Sequence, residues 1–223
     1  MEPVLSLLIG IGLSAACGFR VFVPLLVVSV ASHTGHLHLS SGFEWMGSDA
    51  ALIAFAVATV LEVAAYYIPW LDNLLDTIAS PAAVIAGTLV TASLVADMSP
   101  FLKWTLAVIA GGGIAGLVQG TTVVTRGAST ASTCGLANPI LATAELGGSL
   151  ITSILSLVAP MLVVLTLGAL LLLVGWRLLK KRAKAEVTTT LSSPVCKISE
   201  DPSPHPMGRG WPSGRVRGAH PRE

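Results

Sequence analysis

The feature that most constrains this fold is the near-absence of basic residues from most of the chain. Of 13 Lys and Arg residues, only Arg20, Lys103 and Arg126 precede Arg177. Hydrophobic residues make up 53% of the 223 positions and charged residues 11%, whereas soluble domains carry roughly 25% charged residues. This pattern excludes an ordinary soluble domain, a disordered chain and a nucleic-acid-binding protein with a basic face. We expect an integral membrane protein whose main partner is the lipid bilayer.

Six segments approach the length of a membrane-spanning helix, which needs about 20 mostly apolar residues. We predict an all-α polytopic fold with six transmembrane helices, in a domain covering residues 1–182. The predicted spans are Val4–Ala31, Asp49–Ile68, Pro81–Ala96, Pro100–Val124, Pro139–Val158 and Pro160–Leu179. Three of them begin with a capping side chain followed by proline, a pattern typical of helix starts.

A short interfacial helix is predicted between the second and third spans, over Pro69–Asp76. Tyr66 and Tyr67, just before it, are expected in the aromatic belt of the membrane interface. Asp72 and Asp76 are four residues apart and would share one face of this helix. Such an interfacial acidic pair could bind a cation, but a solvated face is the more common arrangement.

The basic residues near the span ends predict the orientation. Basic residues cluster over 177–184, so the C-terminus is expected to be cytoplasmic. Six crossings then place the N-terminus and Arg126 on the same side. An export signal is not expected, because Glu2 replaces the usual basic start. We expect the bacterial cytoplasmic membrane, with residues 183–223 as a disordered tail rich in Pro, Gly and Arg.

The two halves of the membrane domain, about 4–97 and 100–180, resemble one another. Each contains a glycine-rich helix, then a helix with one glutamate (Glu62 or Glu145), then a helix that begins with proline. Two similar units of three spans each must lie in opposite orientations. The sequence therefore predicts an inverted 3+3 repeat, the plan of many secondary transporters.

Glu62 and Glu145 are the strongest candidates for chemistry, because both lie inside predicted spans. A charge at the membrane centre costs about 2.5–3.5 kcal/mol and persists where it is paired, hydrated or protonated. Two interpretations stay open: a pair that couples transport to a proton or cation, and two carboxylates that tie helices together. Arg20, inside the first span, is their natural partner. Arg126 lies nearer the cytoplasmic edge, where its side chain could extend to the headgroups.

The hydroxyl-rich stretch Thr121–Pro139, with Arg126 and Asn138, is predicted to be a loop. Irregular backbone near membrane depth requires protein or water to satisfy it. The stretch therefore either lines a polar cavity suited to an anionic headgroup or small anion, or is an ordinary cytoplasmic loop.

The remaining polar residues give weaker signals. His33, His36 and His38 are weak metal candidates, because a short loop rarely supplies a complete ligand set. We predict no metal and no cofactor. No catalytic motif is recognisable, so we do not expect an enzyme. A lipid-modifying enzyme using Asp72 and Asp76, or the histidines, is the least favoured hypothesis.

Several segments resemble a bacterial and plastid membrane family catalogued as domain of unknown function 4126. They are Gly12–Leu25, Leu71–Thr77, Pro81, Thr125–Ala131, Gly135–Pro139 and Thr143–Glu145, within about residues 3–180. In that family a basic residue often precedes the Thr-Arg stretch, where this chain has Thr122. The resemblance implies that six residues match motif positions, and it implies no activity. These six are Arg20, Asp72, Asp76, Arg126, Asn138 and Glu145.

Two functional hypotheses follow from these observations. The first is a small transporter or channel for an unknown solute or ion, with its site between inverted repeats near Glu62 and Glu145. The alternative is a non-catalytic membrane scaffold or assembly factor, favoured by the absence of a catalytic set and by the glycine-rich helix faces. Six short helices leave little room for a pathway, which favours a homodimer.

Overall fold

A computed structural model describes residues 3–96, 98–133, 136–170, 172, 173, 175, 176 and 180. The side chains of residues 3, 69–73, 75 and 76 lie outside that description. The residues up to Gly175 form one compact unit. In the separate unit that begins at Trp176, the Lys180 ammonium lies 4.3 Å from the Trp176 ring centroid. The predicted tail, 183–223, lies outside the described residues and stays a prediction.

Every regular element in these described ranges is helical, which confirms the all-α prediction for them. The helices are α1 Pro3–Cys17, α2 Phe22–His33, α3 Asp49–Ala65, α4 Pro69–Leu94, α5 Pro100–Leu106, α6 Gly113–Thr133, α7 Asn138–Val158 and α8 Pro160–Leu170. A 3₁₀ turn, Glu44–Gly47, precedes α3, and a π-helical turn, Ala107–Gly112, joins α5 to α6.

Three of the described helices are long and apolar enough to cross a bilayer. They are Thr77–Leu94 within α4, the 34-residue Pro100–Thr133, and α7. These lengths and compositions fit a membrane protein. They do not confirm six spans.

The predicted first span, Val4–Ala31, is wrong, because the chain reverses direction at Gly18–Val21. Leu5, near the start of α1, lines the same groove as Val30, near the end of α2, so the two helices are antiparallel. They have 15 and 12 residues, or about 22 and 18 Å, each shorter than a hydrocarbon core of about 30 Å. The argument that six crossings place both termini on one side therefore no longer holds.

Two residues around the turn explain why this α1–α2 hairpin forms. Pro24 lies in the first turn of α2, where its missing N–H costs nothing; inside a continuous helix its ring would clash with the Arg20 carbonyl. Gly18 lets the turn approach α6, because a Cβ at Gly18 would lie 2.5 Å from the Val118 Cβ. The turn is thus buried against α6.

Helix α4 runs without interruption from Pro69 to Leu94 and includes Pro81 in its interior. The separate interfacial helix predicted over Pro69–Asp76 is therefore wrong. Membrane helices tolerate an internal proline, because side chains and neighbouring helices satisfy the freed backbone groups. Helix α4 packs antiparallel to α1, where Ser14 Oγ donates to the Gly87 carbonyl over 2.7 Å.

Glycines bring α4 against the π-helical turn. A Cβ at Gly111 would lie 2.5 Å from the Gly87 carbonyl oxygen, and a Cβ at Gly87 would lie 2.6 Å from the Ala115 Cβ. Small residues allow this kind of close backbone approach between membrane helices. Close packing at this contact therefore requires glycine at positions 87 and 111.

The loop predicted over Thr121–Pro139 is largely helical, since α6 extends to Thr133 and α7 begins at Asn138. Its hydroxyl side chains bond to carbonyls of their own helix: Thr121 to Leu117 over 3.0 Å, and Thr125 to Thr121 over 2.8 Å. These bonds remove the need for external polar partners at membrane depth.

The inverted repeat is not confirmed. The first half begins with the α1–α2 hairpin, whereas the second half begins with the continuous helix Pro100–Thr133. The two halves therefore differ in the element that the repeat would have to share.

Candidate functional site

Four charged side chains from four segments meet at the tip of the α1–α2 hairpin. They are Arg20 at the tip, Glu62 on α3, Arg126 on α6 and Glu145 on α7, and we call them the charged cluster. Arg20 is 2% exposed and Arg126 3%. Glu145 lies about 10 Å along α7, whose 21 residues span about 32 Å. The cluster therefore lies about one third of the way along α7.

Glu62 satisfies the backbone at the start of α2. Its Oε1 accepts the Val21 N–H over 2.8 Å, and its Oε2 accepts the Phe22 N–H over 3.1 Å. Without such partners, N–H groups at membrane depth would each cost several kcal/mol. The negative charge also lies at the positive end of the α2 dipole. Glu62 is thus a capping residue supplied by a different helix.

Helix α7 satisfies the other side of the hairpin tip. Ser149 Oγ donates to the Ala16 carbonyl near the end of α1 over 3.0 Å. Arg20 Nη2 donates to the Ala142 carbonyl over 2.8 Å. The tip is thus held by side chains from α3 on one side and by α7 on the other.

Glu145 is shared between the two arginines. Arg126 Nε donates to Glu145 Oε1 over 3.0 Å while Arg126 Nη2 contacts Oε2, which gives a two-point ion pair. Arg20 Nη2 lies 3.6 Å from the same Oε2. The Glu145 carboxylate therefore contacts two buried guanidinium groups.

Tyr66, the residue after α3, contacts both arginines. The Arg20 Cζ lies 3.7 Å from the centroid of its ring, and the Arg126 Cζ lies 4.3 Å from it. The residue is 5% exposed, so its predicted place in the aromatic belt is wrong. The available signal was its spacing of four residues from Glu62, which puts both on one helix face.

Arg20 has hydrogen-bonding capacity that the described part of the protein does not use. Its Nε and Nη1 atoms are buried and have no hydrogen-bond partner among the described residues. Buried polar atoms are normally paired, so each such exception needs an explanation.

Three grooves surround the charged cluster, and the two glutamates line different ones. Glu62 lines one of about 380 Å³ and Glu145 lines one of about 260 Å³, both largely apolar. The third, between α4 and α6, has a volume of about 640 Å³ and contains Arg126. We call it the α4–α6 groove, and it is lined by Thr77, Ser80, Val123, Arg126, Gly127, Thr130 and Ala131.

Asn138 lies outside the charged cluster, at the start of α7. Its Nδ2 donates to Thr130 Oγ1 over 3.2 Å, which links the ends of α6 and α7. Asp72 and Asp76 lie in the first two turns of α4, and the structure describes their backbone but not their side chains.

The three histidines lie at the end of α2 opposite the hairpin tip: His33 is the last residue of the helix, and His36 and His38 follow it. His33 Nδ1 is 3.7 Å from Asp49 Oδ1, and His36 Nδ1 is 2.9 Å from Thr34 Oγ1. No group of three or more side chains that could hold a metal ion is found among the residues that the structure describes. His38 is one of those described residues.

A family model described as "Domain of unknown function (DUF4126)" matches residues 7–181. The chain belongs to this family. The match confirms the resemblance drawn from the sequence and includes all four residues of the charged cluster. No curated protein matches the chain, and no solved structure does. The description of DUF4126 names no activity, so the function has to be argued from the site.

Proposed function

We propose that this DUF4126 protein is a small transporter or channel whose solute path passes the tip of the α1–α2 hairpin. The observation that carries the proposal is the meeting of a broken helix with a buried charged cluster. Irregular backbone at membrane depth is tolerated only where protein buries it or where it lines a water-filled cavity. Transporters use the ends of such discontinuous helices to hold ions and substrates.

The composition of the charged cluster supports the same proposal. A structural tie between two helices needs only one ion pair, whereas Glu145 here contacts both Arg20 and Arg126. Each additional buried charge is costly, and intramembrane ionisable residues commonly mark solute pathways. The Nε and Nη1 donors of Arg20, which have no partner among the described residues, are therefore better explained by a ligand than by stability.

The two glutamates have different roles in this proposal. Glu62 is engaged by two backbone N–H groups, which favours a structural role for it. Glu145 is the coupling candidate, because a small movement of its carboxylate transfers it between Arg126 and Arg20. Such a movement would release an arginine to bind an anionic solute.

We also propose a topology with opposite ends on opposite sides. The hairpin returns to its own side, so α3, α4, the joined α5 and α6, α7 and α8 make five crossings if α8 covers the whole predicted span Pro160–Leu179. The basic residues over 177–184 favour a cytoplasmic C-terminus, in a bacterial inner membrane. The N-terminus would then be extracytoplasmic. Accessibility of an N-terminal tag in intact cells tests this, and protection of that tag would refute it.

Flux measurements on reconstituted protein test the proposed function. The full-length chain is placed in liposomes, and currents or uptake are recorded with protons, Na⁺, K⁺, chloride, inorganic phosphate and acetate. We expect saturable flux of at least one solute, absent from empty liposomes and lost in Glu145→Gln. Lys103→Gln removes one charge outside the cluster and should retain the flux. No flux from the wild type, or full flux in a folded Glu145→Gln variant, would refute the proposal.

A membrane scaffold is the second candidate, and the capping role of Glu62 favours it. If Glu62 and Glu145 only tie helices together, the charged cluster stabilises a surface that other proteins bind. This function predicts a partner that co-purifies in a fixed ratio from native membranes, measurable by cross-linking and mass spectrometry. The homodimer stays a prediction, which the mass of the purified particle tests. The expectation that the chain is not an enzyme also stays a prediction.

A further inference from the structure

We propose that the α4–α6 groove binds a phosphate group, with Arg126 at its base. The phosphate could belong to a lipid headgroup or to a free phosphate ion, and both present the same chemistry to the groove. The groove has a volume of about 640 Å³, which is ample for such a group. This inference does not depend on transport.

The position of the groove suits a ligand at the membrane surface. Thr130 lies three residues before the end of α6 and is hydrogen-bonded to Asn138, the first residue of α7. Helix α7 is about as long as the hydrocarbon core is thick, so its first residue marks the edge of that core. Arg126 lies one turn deeper on α6, about 6 Å further in.

The groups that line the groove suit a phosphate. Thr77, Ser80 and Thr130 contribute hydroxyl groups, and Arg126 contributes a guanidinium. The planar fork of arginine matches the geometry of phosphate oxygens, and the charge strengthens each hydrogen bond. No acidic residue is among the described residues that line the groove.

The arrangement of Arg20 and Glu145 allows Arg126 to accept a second anion. Glu145 pairs with Arg126, and a phosphate that engages Arg126 would compete with that pair. Arg20 offers Glu145 another place, because its Nη2 is already 3.6 Å from Oε2. The Nε and Nη1 atoms of Arg20, without partners among the described residues, can then receive the carboxylate.

Binding to the purified full-length protein in detergent tests this inference. The probes are inorganic phosphate, short-chain phosphatidylglycerol, and a diacylglycerol of the same chain length without phosphate. We expect a phosphate-bearing probe to bind saturably and Arg126→Gln to weaken it about tenfold to a hundredfold. Lys103→Gln removes one positive charge near Ser40, which bonds to the opposite end of α4, and should leave the affinity unchanged.

A second variant leaves the Arg126–Glu145 ion pair intact, in case Arg126→Gln does not fold. Thr130→Val should weaken binding about threefold to tenfold, whereas Thr121→Val, on the same helix but lining another groove, should not. Binding of inorganic phosphate identifies a free ion as the ligand, and binding of phosphatidylglycerol alone identifies a headgroup. The inference is overturned if neither binds, if diacylglycerol binds equally well, or if binding survives Thr130→Val.

Discussion

The carboxylate of Glu62, on α3, accepts the backbone N–H of Val21, at the start of α2, over 2.8 Å. A side chain from one helix thereby caps the start of another. The bond is buried, so removing the carboxylate leaves the Val21 N–H without a replacement partner. The stability of the hairpin tip therefore depends on a residue 41 positions away in the sequence.

Removing this cap should destabilise the fold. Glu62→Ala leaves two buried N–H groups without partners, each costing about 1–3 kcal/mol. Glu62→Gln keeps one acceptor oxygen, so we expect it to fall between alanine and the wild type. Equilibrium unfolding in mixed micelles, followed by tryptophan fluorescence, measures the free energy of unfolding.

Thr59→Val is the matched control for the cap. Thr59 lies on the same helix as Glu62. Within the described residues, its hydroxyl donates to the Phe55 carbonyl of that helix. We expect a change within about 0.5 kcal/mol. A Glu62→Ala variant as stable as this control would show that the cap contributes nothing.

The shared carboxylate predicts an order of stability among charge-removing variants. Glu145→Gln leaves both Arg20 and Arg126 without their common partner, and breaking a buried pair in this way costs about 3–5 kcal/mol. Arg126→Gln should cost less, because Glu145 can still reach Arg20. The same unfolding measurement ranks the two variants.

The exposed pair of His33 and Asp49 supplies the control for this order, since Asp49→Asn should cause no measurable change. If Arg126→Gln proves more destabilising than Glu145→Gln, Arg20 does not share the carboxylate. The double variant Arg126→Gln with Glu145→Gln should recover part of the loss, because the two amides can bond to each other.

The sequence was informative about which residues matter and less so about how they are arranged. Glu62 and Glu145, inside predicted spans, stand out because charges are rare in this chain, and so do Arg20 and Arg126. That these four side chains meet at one place was only partly predictable, because a hydropathy pattern does not reveal a chain reversal inside an apolar segment. Pro24 was the available local signal for that reversal.

The distinct roles of the two glutamates could not be predicted from sequence. Their similar surroundings in the two halves suggested equivalent positions, and only tertiary packing gives Glu62 backbone partners and Glu145 arginine partners. Tyr66 was missed for a related reason: a tyrosine next to a span end is usually interfacial, and here two guanidinium groups bury it.

Close packing at Gly111 predicts sensitivity to a single methyl group. A Cβ at Gly111 would lie 2.5 Å from the Gly87 carbonyl oxygen, so Gly111→Ala must push α4 away from the π-helical turn. We expect a loss of about 1–3 kcal/mol in the free energy of unfolding. Gly113→Ala is the control, because nothing lies within 4 Å of its added Cβ. The free energy of unfolding of Gly113→Ala should be unchanged or higher by up to about 1 kcal/mol. Equal effects at both positions would refute the packing argument.

The reversal at Gly18–Val21 predicts a short distance between the two ends of the hairpin. Spin labels attached at Leu5 and Val30, both partly exposed, measure this distance. The native cysteines Cys17, Cys134 and Cys196 are first replaced by alanine. In a continuous helix the labelled positions would be about 38 Å apart. We expect a distance well below that value, because both residues line one groove.

A control pair on the α5–α6 helix calibrates this measurement. Leu102 and Leu117 are exposed, and their separation should be about 22 Å whichever way the first segment folds. A Leu5–Val30 distance near 38 Å, with the control pair at its expected value, would restore a single first span. The cap by Glu62, the proposed solute path and the five-crossing topology would then all fail together, because each depends on a helix that begins inside the membrane.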